Sequence, residues 1–95
     1  MSTRWIVWGM GGHGSVVAEL VGATGAVVAG FADRDPAGPA SVDEVRLLDI
    51  LSSGLPLPLD ADHLALGIGD NAARLSAWQS IPAELAPPLI HPAAW

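Results

Sequence analysis

Gly9, Gly11 and Gly14, within the run Gly9-Met10-Gly11-Gly12-His13-Gly14, satisfy the spacing G-x-G-x-x-G. The chemistry this spacing permits is anion binding by the main chain. One glycine allows a tight turn, one lets a ligand approach the backbone, and one lets a helix pack close to a strand. A helix starting there offers free N–H groups and partial positive charge to a phosphate. The same glycines could also serve only a tight strand-to-helix turn. His13 sits inside the turn, where dinucleotide enzymes more often carry a small or apolar residue. Its ring either closes the turn by a hydrogen bond or faces the phosphate and the substrate beyond it.

Asp33 follows the turn by about twenty residues, where an acidic group can accept hydrogen bonds from ribose hydroxyls. Its other reading is loop initiation before Pro36, through bonds to the local backbone. Asp35 has a weaker claim, because Asp-Pro is a common turn pair. Asp70 is a candidate ligand contact and equally a helix cap. Asn71 and Arg74 fall in the first turn of the helix that Asp70 would cap. Arg74 is one of few cations available to a diphosphate, because the chain has four basic residues and no Lys. Trp5, Trp8 and Trp78 are expected in the core, with Trp8 also able to border a base or sugar from beside Gly9.

These residues need elements to position them. Arg4 to Trp8 is a short apolar run with aromatic and β-branched content, the pattern of a buried parallel strand. Ser15 to Val21 has helical spacing, with Gly22 or Gly25 as its stop. Ala26 to Phe31 reads as a second buried strand, ending at Ala32-Asp33. Strand, turn, helix and strand within about thirty residues make a βαβ unit.

Asp33 to Ser41 is a loop by its Pro, Gly and Asp content. Val42 to Gly54 is ambiguous: Val45 to Leu48 suits a short extended piece, and Leu48 to Ser53 one or two helical turns. Leu55 to Leu59 carries two prolines and predicts an extended connection. His63 to Gly69 reads as a third buried strand, followed by a helix from Asn71 to about Ser80 with Leu75 and Trp78 on one face. Pro82 opens a short turn over Ala83 to Ala86, and Leu89-Ile90 reads as a fourth strand broken by His91-Pro92. The predicted fold is α/β, a half-Rossmann parallel sheet of about four strands with flanking helices. Ligands of such sheets sit beyond the strands' carboxyl ends. The Gly9–Gly14 turn, Asp33-Arg34-Asp35 and Gly69-Asp70-Asn71 are expected to line one crevice there.

Composition narrows the partners. Ninety-five residues make one small domain, and 51% apolar content favours a packed fold over disorder. A net charge of −6 leaves no basic stripe for nucleic acid. With no Cys, disulfides, thiolate catalysis and Cys-ligated zinc are excluded. No metal is expected, since His13, His63 and His91 fall on separate elements. The run from Trp5 to Met10 is too short for a membrane span or a signal-peptide core, so the expected location is the cytoplasm.

Four blocks occur in a fixed order: Gly9-Met10-Gly11-Gly12-His13-Gly14-Ser15-Val16-Val17, Gly30-Phe31-Ala32-Asp33, Gly67-Ile68-Gly69-Asp70-Asn71-Ala72-Ala73-Arg74, and Ile90-His91-Pro92-Ala93. In this order they resemble the N-terminal domain of the sialic acid O-acetyltransferase and pilin-glycosylation acetyltransferase family. The resemblance spans nearly the whole chain. It implies a domain that binds a UDP-linked amino sugar, through Gly9, Gly11, Gly12, His13, Gly14, Asp33, Asp35, Asp70, Asn71 and Arg74. It also implies a following left-handed β-helix of hexapeptide repeats, which supplies the acetyl-CoA site, the catalytic histidine and a homotrimer. In such an enzyme a sugar amine or hydroxyl attacks the acetyl thioester, with that histidine as general base. Residues 1–95 are then the nucleotide-sugar domain without its catalytic partner, inactive alone and with no catalytic residue of its own. Two departures stand out. Arg34 separates Asp33 from Asp35 where relatives commonly have adjacent carboxylates, and Trp8 is bulkier than usual before the turn.

Two other readings remain at this level. An NAD- or CoA-binding Rossmann-like module would use Asp33 equally well, but no second half is present to hold a nicotinamide. An assembly domain would use the Pro-rich segment and Ala-rich C-terminus for contacts alone.

Overall fold

The computed structural model describes residues 2–87, so the strand expected at Leu89-Ile90 and the His91-Pro92 break lie outside the described residues. Four parallel strands form one sheet in the order β3-β2-β1-β4. These are β1 (Arg4–Trp8), β2 (Val27–Asp33), β3 (Ser41–Asp43) and β4 (His63–Leu66). Three helices flank them: α1 (Gly12–Ala23), α2 (Glu44–Ser53) and α3 (Asn71–Gln79). The chain is an α/β half-Rossmann domain, as its pattern predicts.

Strand β1 explains why the sheet needs helices on both faces. Its side chains alternate, and both sets are buried. Trp5 and Val7 pack with Val21 of α1 and Ala65 of β4. Ile6 and Trp8 pack on the other side with Val42, Leu47, Leu51, Leu64 and Ala77, from β3, α2, β4 and α3. Thus α1 covers one face, and α2 and α3 cover the other. The chain leaves β2 for one edge at β3, then returns past β1 to β4. The strand order therefore reverses beside β1, which places a crevice at the carboxyl ends of β1 and β4.

Three sequence expectations need correction. The piece expected to be extended, Val45 to Leu48, is helical. Asp43 caps α2 by accepting a hydrogen bond from the Val45 N–H at 2.8 Å, and Leu47, Ile50 and Leu51 face inward at helical spacing. The strand beyond β2 is instead Ser41–Asp43, which begins at the last residue of the expected loop and pairs with Phe31 to Asp33. Three residues with one buried side chain, Val42, carry no periodicity to read. Helix α1 begins at Gly12 and not Ser15, so His13 and Gly14 belong to its first turn.

Trp78 is a fourth correction: expected in the core, it is exposed. It shares a face with Leu75 as its spacing predicts, but that face points outward, with 59% and 53% of Leu75 and Trp78 accessible. Helix α3 instead meets the sheet through buried Ala77. A small residue at the contact lets the helix lie close and turns its large side chains to the far side.

Candidate functional site

Three glycines from separate segments lock the crevice floor. Gly9 has φ of +123°, and its N–H donates to the Ala32 carbonyl at 2.7 Å. A Cβ on Gly9 would lie 2.6 Å from the Gly67 carbonyl oxygen, and one on Gly14 would lie 2.1 Å from the Gly9 carbonyl oxygen. A Cβ on Gly67 would lie 2.6 Å from the Gly14 Cα. Backbone therefore touches backbone among the β1 turn, the first turn of α1 and the end of β4. Gly67, unlike Gly9 and Gly14, had no signal in local spacing, since its partners lie more than fifty residues away.

Gly11 and Gly12 differ from these three. A Cβ on either would meet nothing within 4 Å. Packing does not demand glycine at these positions, whereas close approach of a ligand would. Gly11 is the N-cap of α1 and, among the described residues, no side chain caps this helix; its first turn holds no acidic residue. By contrast, Asp43 caps α2 and Asp70 caps α3. Among the described residues, the α1 terminus keeps free N–H groups and the partial positive charge that goes with them.

This terminus opens on a cleft of about 640 Å³. Gly9, Met10, Gly11, Gly12 and His13 line one side, Asp33 and Arg34 the end of β2, and Gly67, Ile68 and Gly69 the end of β4. The opposite wall comes from α2 through Glu44 and Leu48, and from α3 through Ala73, Ser76, Ala77 and Ser80, with Trp8 beneath. His13 is exposed, and among the described residues its ring makes no hydrogen bond that would close the turn.

Asp33 ties the turn to β2. Its Oδ2 accepts from the Met10 N–H at 2.8 Å, and its Oδ1 accepts from the Asp35 N–H at 3.2 Å. The Met10 bond chiefly, then the Asp35 bond, hold its carboxyl below the usual aspartate range, against a smaller opposing effect of burial. A lowered pKa means that the folded chain resists protonation more than the unfolded chain does. This stabilisation is complete above the usual aspartate range and is lost as pH falls through the lowered folded value. Urea midpoints measured from about pH 5 to about pH 2 should therefore fall more for the wild type than for Asp33→Asn. Parallel curves would remove Asp33 from the turn's support.

The expectation that all three polar clusters line one crevice is corrected. Gly69 lines the cleft, but Asp70, Asn71, Arg74 and Asp35 do not. Asp70 turns its carboxylate to the Ala73 N–H at 2.8 Å, capping α3. Asn71, Arg74, Leu75 and Trp78 share the outward face at i, i+3, i+4 and i+7, and line a separate groove with Leu66. There the Arg74 guanidinium donates to the Asn71 side-chain oxygen. Among the described residues that line the cleft, the one arginine is Arg34. Ala73, Ser76, Ala77 and Ser80 form the inner face, which sequence reading missed. Their small side chains at 3–4 residue spacing were the available signal. Asp70→Ala should cost about 1 kcal/mol, or about 4–8 °C in Tm for a chain this size. A thermal melt checks this, and no change would deny the cap.

Among the described residues no helix is long and apolar enough to cross a membrane. The sheet order, the glycine lock and the uncapped α1 terminus define a half-Rossmann domain with an anion-compatible cleft at its switch point. The chain belongs to the PglD N-terminal domain family, whose model matches residues 4–81. Two solved structures are similar at 29% identity and a TM-score of 0.69. One is a histidine-to-alanine variant of the GDP-perosamine N-acetyltransferase from Caulobacter crescentus with CoA and GDP-perosamine. The other is a histidine-to-asparagine variant of perosamine N-acetyltransferase from the same organism, with the same two molecules. Each match covers 95% of this chain and 43% of the solved one, so the chain spans less than half the length of these relatives. A search of curated protein sequences finds no match.

Proposed function

We propose that this domain binds a nucleotide-linked amino sugar and presents it for acetylation by the rest of a longer enzyme. The observation that carries the reading is the uncapped N-terminus of α1, open to the cleft beside two glycines with empty space around them. Free N–H groups and a helix dipole suit a diphosphate in a chain with few cations. The similarity to enzymes holding CoA and GDP-perosamine supports a sugar-acetyltransferase setting.

The contacts we assign are Gly11, Gly12 and His13 on the phosphates, with Asp33 and Arg34 at the end of β2. Gly9 and Gly14 shape the turn that presents them. Acetyl-CoA and the general base belong to the remainder of such an enzyme, where the sugar amine attacks the thioester carbonyl and CoA leaves as the thiol. The work would be a cytoplasmic step of bacterial glycan or protein glycosylation, with trimer formation left to the catalytic part. A UDP-linked amino sugar is our first choice of ligand. A GDP-linked sugar is the second, favoured by the GDP-perosamine of the similar structures.

Isothermal titration with a UDP-amino sugar, a GDP-linked sugar and NAD tests this reading. Heat of binding is expected with at least one nucleotide sugar at millimolar concentration or below. Binding of NAD with neither nucleotide sugar would overturn it in favour of a dinucleotide module.

A further inference from the structure

We propose that Glu44 selects the nucleobase, its carboxylate accepting a hydrogen bond from the ring N–H of uracil or guanine. The inference rests on the nucleotide reading above, and adds where the base lies and which bases the cleft admits. The carboxyl ends of β1, β2 and β3 stand side by side in the sheet. Each leads straight into the cleft wall: the glycine turn follows β1, Arg34 follows β2, and Glu44 follows β3. Asp33 is the last residue of β2 and lines the cleft with them. Neighbouring strands lie about 4.8 Å apart, so the three ends span about 10 Å. The parts of a nucleoside diphosphate follow one another in the same order. With the diphosphate on the α1 N–H groups and the ribose beside Asp33, the base falls at the β3 end.

Glu44 presents itself to that position. It opens α2, and Leu48, one turn further at i+4, lines the cleft from the same face of the helix. Leu47, Ile50 and Leu51, on the other side of α2, are buried. Glu44 itself is only half-buried. The other carboxylate of the cleft, on Asp33, already accepts from the Met10 and Asp35 N–H groups. A second carboxylate in a cleft for an anion opposes binding unless the ligand turns a donor toward it. Uracil offers N3–H at its pairing edge, and guanine offers N1–H together with its N2 amine. Cytosine and adenine carry a ring-nitrogen lone pair at the same edge, which a carboxylate repels. Leu48 gives the face of the ring an apolar surface beside this contact. The cleft then admits bases with a ring N–H donor, and Glu44 rejects the others.

The test is an NMR titration of the 15N-labelled chain with UDP, GDP, CDP, ADP and inorganic pyrophosphate. The tighter-binding of UDP and GDP should move the Gly11 and Gly12 amides together with those of Glu44 and Leu48. Pyrophosphate should move the glycine amides alone. The same nucleotide should bind at least about tenfold more tightly than CDP or ADP, the scale of one base-edge contact. Glu44→Gln keeps the length of the side chain and offers both a donor and an acceptor, so this preference should disappear. Its affinity for pyrophosphate measures what removing a negative charge does by itself. A wild type that binds CDP or ADP as tightly as UDP and GDP would overturn this inference alone. So would a preference that survives in Glu44→Gln, or nucleotide binding that moves the glycine amides with Glu44 and Leu48 stationary. If no nucleotide moves the glycine amides, the nucleotide reading falls and this inference with it.

Discussion

Gly14→Ala is expected to destabilise the domain by about 3 kcal/mol or more. The new Cβ would sit 2.1 Å from the Gly9 carbonyl oxygen, and backbone cannot yield as a flexible side chain would. Alanine is the better helix former by about 1 kcal/mol, so propensity alone predicts the opposite sign. The clash wins, because relieving it means moving α1 away from the β1 turn and from Gly67. A domain of this length has only about 5–14 kcal/mol of stability in total. Thermal unfolding should show Tm lowered by at least about 12 °C. A variant as stable as the wild type would contradict the interlocked floor.

Gly11→Val should give the complementary result, with folding kept and binding lost. Gly11 has φ of −76° and ψ of −168°, a backbone that valine adopts readily, and a Cβ there meets nothing within 4 Å. Loss of stability should stay near about 1 kcal/mol, the scale of a poorer N-cap. The branched side chain would project into the space by which a diphosphate reaches the α1 N–H groups. Affinity for a nucleotide sugar should fall at least about a hundredfold, equivalent to about 2.8 kcal/mol. Calorimetry on the folded variant checks this. Unchanged affinity would leave the turn an accessory role, as an assembly domain would have.

The contrast between these glycines shows what was legible in the sequence. The G-x-G-x-x-G spacing marks the turn, but cannot separate glycines needed for packing from those that leave room for a ligand. That separation depends on Gly67, which reaches Gly14 only through the parallel pairing of β1 and β4. Strands β1, β2 and β4 were readable because buried parallel strands are continuous apolar runs. β3 was not, since its pairing with β2 is set by tertiary contact. On α3 the spacing correctly placed Leu75 and Trp78 on one face, but large apolar residues wrongly suggested which face was inside. The small Ala and Ser residues line the cleft because they permit close approach. Asp33 was legible as important by its position at the end of β2. Its carboxylate bond to Met10 adds support of the turn to any ribose contact.

The central claim is that the α1 terminus, and not the outer groove of α3, holds a nucleotide sugar. A crystal structure of the chain with a saturating UDP- or GDP-linked amino sugar tests it most directly. The account predicts the diphosphate against the N–H groups of Gly11 and Gly12, with the nucleotide within the cleft. A nucleotide sugar bound instead between Leu66, Asn71 and Trp78, with the glycine turn untouched, would contradict it.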